Sequence, residues 1–279
     1  MRKGRVTLSN LFWIVLLCLL GVLFVLPIFI VLFNSFKGQF YIASSPFSLP
    51  NSDTFVGLLN YKNGIEKIQF FKAFGYSLLI TLLSVFGIIL TTSMTAWYIT
   101  RVKAAHSRLI YYALVFSMIV PFQMVMYTMS KVANVLRLES PLGIVVLYIG
   151  FGAGLSVFMF SGFIRSIPLA LEEAAEIDGC GPLKAFFYVV FPLLKPTAIT
   201  ISILNAMWIW NDYLLPYLVI GSKYRTIPVA VQYLQGGYGS RDMGALMAML
   251  ILAIIPIIVF YAFSQKSIIS GVVAGAVKG

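Results

Sequence analysis

Charged residues are scarce in this chain of 279 residues, where they make up 10% and hydrophobic residues make up 60%. Soluble domains carry about 25% charged residues, so this composition excludes an ordinary soluble fold. The hydrophobic residues come in runs of about 20, the length that a helix needs to cross a bilayer core of about 30 Å. The runs lack the alternation of a transmembrane β-barrel. The sequence therefore predicts one all-α membrane domain over residues 1–279.

Several kinds of site are also missing from the sequence. The two cysteines lie in an apolar run (Cys18) and a polar loop (Cys180), so they form no disulfide framework. No Gly-x-x-x-x-Gly-Lys-Ser/Thr motif occurs to bind ATP phosphates, and no metal-ligand cluster or nucleophile–base pair is evident. We therefore expect no enzyme activity, no metal and no cofactor in this chain itself.

Basic residues exceed acidic ones, and the net charge is +11. They are spread over every loop rather than gathered in a stripe with aromatic residues, so nucleic-acid binding is not expected. Lys and Arg beside membrane spans account for this distribution. Their division between the loops favours the cytoplasm for both termini by a small margin, and the short basic turn 101–108 carries most weight.

Six membrane spans are predicted. Pro121 interrupts the third span. Before the first span, basic residues followed by an apolar run look like the start of a signal peptide. The first apolar run is too long for the core of a signal peptide and no small-x-small cleavage site follows, so we interpret it as an uncleaved span. The predicted spans are 11–33, 73–99, 109–130, 142–163, 197–218 and 243–263.

Four of the nine acidic residues fall within seven positions between the fourth and fifth spans. Pro168 can open a helix there, Gly179 can end it, Pro182 can start a second helix, and Pro192 is expected to end that one. The sequence thus predicts a helix–turn–helix elbow over 168–192. Its carboxylates could pair with a basic partner that docks on it, or they could simply be solvated.

The elbow resembles the EAA loop of ABC-importer permeases. Glu173-Ala174-Ala175 is followed by Gly179 at the family's spacing, and Pro192 stands at the closing position. Further stretches resemble a carbohydrate permease of the maltose-transporter G-subunit type. They are Ser161-Gly162-Phe163, Ile177-Asp178-Gly179, Trp210-Asn211-Asp212-Tyr213-Leu214, Ile227-Pro228-Val229 and Gly275-Ala276-Val277-Lys278-Gly279.

The resemblance implies a type I ABC-importer permease in the bacterial inner membrane, with both termini in the cytoplasm. Such a subunit moves sugars, most often di- or oligosaccharides, by alternating access. Its implied partners are an unlike F-type permease, an ATPase dimer that binds ATP and Mg, and an extracytoplasmic sugar-binding protein. The tail Gly275–Gly279 would contact the ATPase. The residues implied in ATPase coupling are Glu172, Glu173, Ala174, Ala175, Asp178, Gly179 and Pro192.

Asp212 is the only acidic residue inside a predicted span, where an ionised side chain costs about 2.5–3.5 kcal/mol. It could belong to a pore or gating cluster, or it could be a structural hydrogen-bond node. The candidate pore residues are Gln123, Asn205, Trp210, Asn211 and Asp212. Two other functions stay open: import of another polar solute, such as glycerol phosphate or a polyamine, and ion-coupled secondary transport.

Overall fold

A computed structural model describes residues 8–221, 223–236 and 241–276, with side chains described from 11 to 265 within those ranges. The regular elements in these ranges are helices, and the β-structure there is a single bridge between Lys37 and Phe55. The α-helices are α1 (Leu8–Asn34), α2 (Gln39–Ser44), α3 (Leu59–Ile68), α4 (Phe70–Arg101), α5 (Ala105–Ser117), α6 (Phe122–Val135), α7 (Pro141–Ile164), α8 (Ala170–Ile177), α9 (Pro182–Ala185), α10 (Phe191–Asn211), α11 (Leu214–Val219), α12 (Ile227–Gln232) and α13 (Met243–Ala276).

Within the described ranges, five helical segments are long and apolar enough to cross a membrane, and a bent pair of helices brings the number to six. The helices α1, α4 and α7 begin and end within three residues of the predicted first, second and fourth spans. The sixth begins at the predicted Met243 and continues past the predicted end. The prediction of six apolar helical spans is therefore confirmed when the bent pair counts as one.

The third span, predicted as 109–130, is instead two helices, α5 and α6, that meet at an angle of 108°. The break falls at Pro121, which precedes α6 with φ −62° and ψ 137°. Proline has no N–H to donate and pushes the preceding residue toward extended conformations, so α5 cannot continue through it. The expected interruption is present, and it is a sharp turn between two helices.

The fifth span also differs from its predicted limits of 197–218. A continuous helical segment runs from Pro182 to Asn211 and ends just before Asp212. The sequence predicted that Pro192 ends the second helix of the elbow, and this prediction is wrong because the helix continues through it. A π-turn over Phe186–Val190 lies before Pro192, and in this turn the amide of Phe191 bonds to the carbonyl of Phe186. The wider turn accommodates a proline in the first turn of α10, where a missing N–H is tolerated.

The described contacts form two compact units, and the first comprises Met1–Phe71 and Ala230–Pro256. Polar side chains hold its interior together. The Asn60 amide donates to the carbonyls of Ser35 and Lys37, both at 2.8 Å. Lys37 is fully buried and donates to the Ser45 carbonyl and the Ser48 hydroxyl at 2.9 and 3.1 Å. Burial lowers the pKa of Lys37.

The second unit comprises Lys72–Val229 and Ile257–Gly279, and α7 lies at its centre with α5 and α10 packed against it. Small residues permit this close approach. A Cβ at Gly154 would lie 2.6 Å from the Leu114 carbonyl oxygen of α5, whereas a Cβ at Gly150 would meet nothing within 4 Å. The close contact with α5 thus falls at Gly154, and Gly152 makes a second close contact against Ile88 of α4.

The difference in surroundings between Gly154 and Gly150 allows a direct test of the packing between α5 and α7. We expect Gly154→Ala to lower the free energy of unfolding by about 1–3 kcal/mol, because the added methyl group overlaps the backbone of α5. The matched control Gly150→Ala should leave stability unchanged or slightly raised, since alanine favours helix. Denaturant titration of the full chain in detergent measures both. Equal effects at the two positions would contradict the packing described here.

Candidate functional site

The predicted elbow is built from α8, a tight turn and α9. Its turn is a Schellman motif, in which the amide of Cys180 bonds to the carbonyl of Ala175 at 2.9 Å and the amide of Gly179 bonds to that of Glu176 at 3.0 Å. Gly179 has φ +80°, a conformation that favours glycine. Pro182 occupies the first turn of α9. The glycine stop and the proline start are therefore where the sequence predicted them.

The short helix α8 has two faces of different character. Glu172 and Ala175 point inward and are 6% and 7% exposed. Glu173 and Ala174 are exposed on the other face, next to Ile177, which is 86% exposed. An apolar side chain so fully exposed beside an acidic one forms a small mixed surface. We call Glu173, Ala174 and Ile177 the outer face of the elbow.

The buried carboxylate of Glu172 fastens the elbow to the end of α4. Arg101 donates from Nε and Nη2 to Glu172 Oε1 at 2.9 and 2.7 Å, and Trp97 Nε1 donates to Oε2 at 2.8 Å. Arg101 Nη2 also donates to the carbonyl of Ile167 at 3.0 Å. The ring of Trp97 lies 5.3 Å from that of Phe186 in the π-turn. Charge-assisted bonds of this kind are among the stronger ones in proteins.

These contacts separate the residues that the sequence had grouped as coupling candidates. Glu172 is engaged inside the chain, while Glu173, Ala174 and Asp178 are exposed and Pro192 lies exposed in the first turn of α10. The sequence did not identify Arg101 and Trp97 as partners of Glu172. The available signal was their position at the end of a span, with an unusually dense group of acids elsewhere in the chain.

Asp212 lies in the break between α10 and α11, with φ −73° and ψ 122°, and not inside a helical span as predicted. Its Oδ1 accepts from the amides of Leu214 and Leu215 at 2.9 and 3.4 Å, so it caps α11. Its Oδ2 accepts from the hydroxyl of Tyr148 on α7 at 2.9 Å. This geometry matches the hydrogen-bond node that was one of the two alternatives.

The other pore candidates have different surroundings. Asn205 is buried and donates to the Ile201 carbonyl at 2.9 Å, and Trp210 is buried with its ring 5.7 Å from that of Phe74. Gln123 and Asn211 are exposed. Their recorded contacts go to different partners and bring no single polar cluster together among the described residues. A pore role for any of them stays a prediction.

Residues 95–273 match the family described as the binding-protein-dependent transport system inner membrane component. This match covers more than half of the chain. It includes the elbow and its anchor, by which we mean Glu172 with its partners Arg101 and Trp97. The chain belongs to this family. The resemblance predicted from the elbow is thereby confirmed, and the protein is a multi-pass membrane permease.

Relatives of this permease cover almost its whole length. The probable starch degradation products transport system permease protein AmyC of Thermoanaerobacterium thermosulfurigenes is 38% identical over 93% of each chain. The multiple sugar-binding transport system permease protein MsmG of Streptococcus mutans is 36% identical over 96% of this chain and 98% of its own. The melibiose/raffinose/stachyose import permease protein MelC of Bacillus subtilis is 32% identical over 91% of each.

A solved structure shares the fold of the permease. A chain of a bacterial ABC transporter involved in the import of the acidic polysaccharide alginate superposes with a TM-score of 0.78, at 20% identity, over 95% of this chain and 98% of its own. The prediction of an ABC-permease fold is confirmed by this likeness.

The structure describes little of the predicted tail, and it shows no metal cluster among the described residues. Of the tail, Val277–Gly279 lie outside the described residues, and only the helical backbone is described for Gly275 and Ala276. Among the described residues, no group of three or more His, Cys, Asp or Glu could hold a metal ion.

The two alternatives for Asp212, a structural hydrogen-bond node and a gating residue, predict different effects when its side chain is replaced by that of asparagine. We expect Asp212→Asn to keep uptake by the assembled permease within about twofold of wild type, because asparagine also caps helices well. Asp212→Ala should lower stability by about 0.5–2 kcal/mol through loss of the cap. Uptake assays and thermal unfolding of the two variants measure this. A large loss of uptake in Asp212→Asn with unchanged stability would favour the gating alternative instead.

Proposed function

We propose that this permease is the membrane subunit of an ATP-driven importer of sugars, most often di- or oligosaccharides, that works by alternating access. The names of three relatives, for starch degradation products, multiple sugars and melibiose, raffinose and stachyose, support the sugar class. Glycerol phosphate and polyamines find no support in these names.

The energy for transport must come from outside the chain. Its sequence has no phosphate-binding loop motif, so ATP and Mg are proposed to bind to a separate ATPase dimer. An unlike F-type permease and an extracytoplasmic sugar-binding protein complete the proposed importer. The family's description as binding-protein-dependent supports the last of these partners.

The elbow is the proposed contact with the ATPase. The observation that carries this proposal is the contrast between its faces: Glu173, Ala174 and Ile177 are exposed, while Glu172 is bonded inward to Arg101 at the end of α4. A basic, partly apolar groove on the ATPase would complement the outer face. Movement of the ATPase would then pass through the anchor into a membrane-spanning helix.

The orientation follows from this contact, because an ATPase that uses cellular ATP docks from the cytoplasm. The elbow is therefore proposed to face the cytoplasm, with both termini on the same side of a bacterial inner membrane. In this arrangement ATP binding closes the ATPase dimer and opens the pore outward, and hydrolysis resets it. The tail Gly275–Gly279 is proposed as a second ATPase contact.

Reconstitution of the purified complex into proteoliposomes tests this function. We expect uptake of labelled oligosaccharides only when the binding protein is outside and ATP is inside the vesicle. Vesicles that hold the permease without the ATPase should show none, with or without an ion gradient. Uptake driven by an ion gradient through the permease alone would overturn the proposal in favour of secondary transport.

A further inference from the structure

A cleft of about 430 Å³ lies at one end of the second unit. It is formed by the end of α4, the turn that follows, the first two turns of α5 and the last turn of α7. Its volume lies within the range of about 300–1,000 Å³ that is typical of small-molecule sites. The lining residues that bear on its chemistry are Thr100, Lys103, Ser107, Arg108, Ser161 and Arg165.

The cleft carries concentrated positive charge. Lys103, Arg108 and Arg165 line it, and none of its lining residues is acidic. The three side chains are exposed. The guanidinium of Arg165 lies 5.8 Å from the centre of the Tyr111 ring, which holds it at the wall of the cleft. Three cations in a lining without an acidic residue favour an anion.

Three residues with buried hydroxyl groups also line this cleft. Ser107 and Ser161 are 2% and 1% exposed, and their hydroxyl oxygens, with that of Thr100, have no hydrogen-bond partner. Seven buried side-chain oxygens lack a partner in the part of the chain whose side chains are described, and three of them line this cleft. Because buried polar groups are normally satisfied, this concentration indicates a ligand that accepts hydrogen bonds.

The start of α5 adds a third contribution. This helix of 13 residues begins at Ala105, and Ala104 before it provides no side-chain cap for the first-turn amides. Helix N-termini carry partial positive charge and bind phosphate through such amides. The first turn of α5 lines the cleft through Ala104, Ser107 and Arg108. Charge, hydroxyl donors and a helix N-terminus therefore converge on one volume.

We propose that this cleft binds a phosphate-bearing anion, and that the source of the phosphate is the headgroup of an anionic phospholipid. The cleft lies at the ends of two membrane-spanning helices, α4 and α7, and at the start of the bent pair, where headgroups lie. Tyr111 and Tyr112 also line it, and tyrosine is enriched at the membrane surface. Basic pockets between membrane helices are known to suit such headgroups. The proposal does not depend on the transported solute.

The test counts lipids bound to the full permease, purified in detergent with the subunits that accompany it. Equal amounts of phosphatidylglycerol and phosphatidylcholine are added, and native mass spectrometry counts each. We expect wild type to retain phosphatidylglycerol about tenfold over phosphatidylcholine, and Lys103→Gln/Arg108→Gln/Arg165→Gln to lose most of this preference. The control Lys62→Gln/Lys131→Gln/Lys223→Gln removes the same charge from exposed positions elsewhere and should behave as wild type.

A second variant separates the site from general charge. Ser107→Ala/Ser161→Ala keeps every cation and should still reduce the preference by about threefold, because two buried donors are lost. An unchanged preference in both cleft variants would overturn the proposal. Excess inorganic phosphate distinguishes the source: release of phosphatidylglycerol from wild type to the level of the triple cleft variant would assign the site to soluble phosphate and contradict the lipid.

Discussion

Arg101→Met is expected to reduce ATP-dependent uptake at least tenfold, in line with the energetic cost of leaving the buried Glu172 carboxylate without its charge partner, about 3–5 kcal/mol. Arg101 supplies two of the three hydrogen bonds to this carboxylate and also holds the carbonyl of Ile167 just before α8. Without these bonds the elbow is no longer fastened to α4. We expect uptake to fall more than ATP hydrolysis, because the ATPase still turns over while its movement reaches the membrane helices poorly.

A double variant separates the lost pairing from loss of the arginine itself. In Arg101→Met/Glu172→Gln no buried charge remains at this site, and the glutamine can still accept from Trp97, so we expect partial recovery of both stability and uptake. Lys131→Met removes an exposed cation elsewhere and should match wild type. Uptake, ATP hydrolysis and thermal unfolding of the complex measure the set. An Arg101→Met variant with wild-type uptake would show that the anchor has no role in coupling.

Gly179→Val is expected to reduce uptake by a similar factor while membrane insertion is unchanged. The position has φ +80°, which costs an L-residue about 1–2 kcal/mol, more for a β-branched one. A Cβ there would meet no other atom within 4 Å, so the strain lies in the backbone alone. The turn can relieve this backbone strain by rotating to a negative φ at residue 179. We expect that rotation to misplace the outer face of the elbow relative to its docking partner.

Two neighbouring changes serve as controls for this strain. Gly179→Asn should recover most of the uptake, because asparagine visits left-handed conformations more readily than valine. Gly181→Ala lies two residues away with an ordinary φ of −68° and open space around it, so it should have little effect. Membrane fractionation and uptake assays compare the three. If Gly181→Ala were as harmful as Gly179→Val, backbone strain at residue 179 would not be the cause.

The local features of the elbow were predictable from the sequence because they depend on nearby residues. A glycine seven positions after Glu172, with a proline three residues beyond it, implies a helix stop and a new start, and the structure has both. The boundaries of α1, α4 and α7 were likewise set by the length of apolar runs. Spacing alone therefore located these three spans and the turn between α8 and α9.

Features that depend on distant residues could not be predicted in this way. The partner of Glu172 is Arg101, 71 positions earlier, and nothing in the local pattern distinguishes the buried Glu172 from the exposed Glu173. Pro192 suggested a helix end. The helix instead continues, because the π-turn before Pro192 changes the hydrogen-bond pattern where proline has no N–H to donate. Asp212 occurs in an apolar segment. Its hydrogen bonds to Tyr148 and to the start of α11 depend on the folded structure and could not be predicted from the neighbouring residues.

Crosslinking in cells shows whether the outer face of the elbow contacts the ATPase. A photoreactive benzoyl-phenylalanine is placed at Ile177 (86% exposed) in one variant and at Phe24 of α1 (79% exposed) in another, in cells that contain the whole importer. If the outer face makes this contact, we expect illumination to join the first variant to the ATP-hydrolysing subunit and to leave the second without that product. ATPase crosslinks of equal yield from both positions, or none from Ile177 in an active importer, would contradict it.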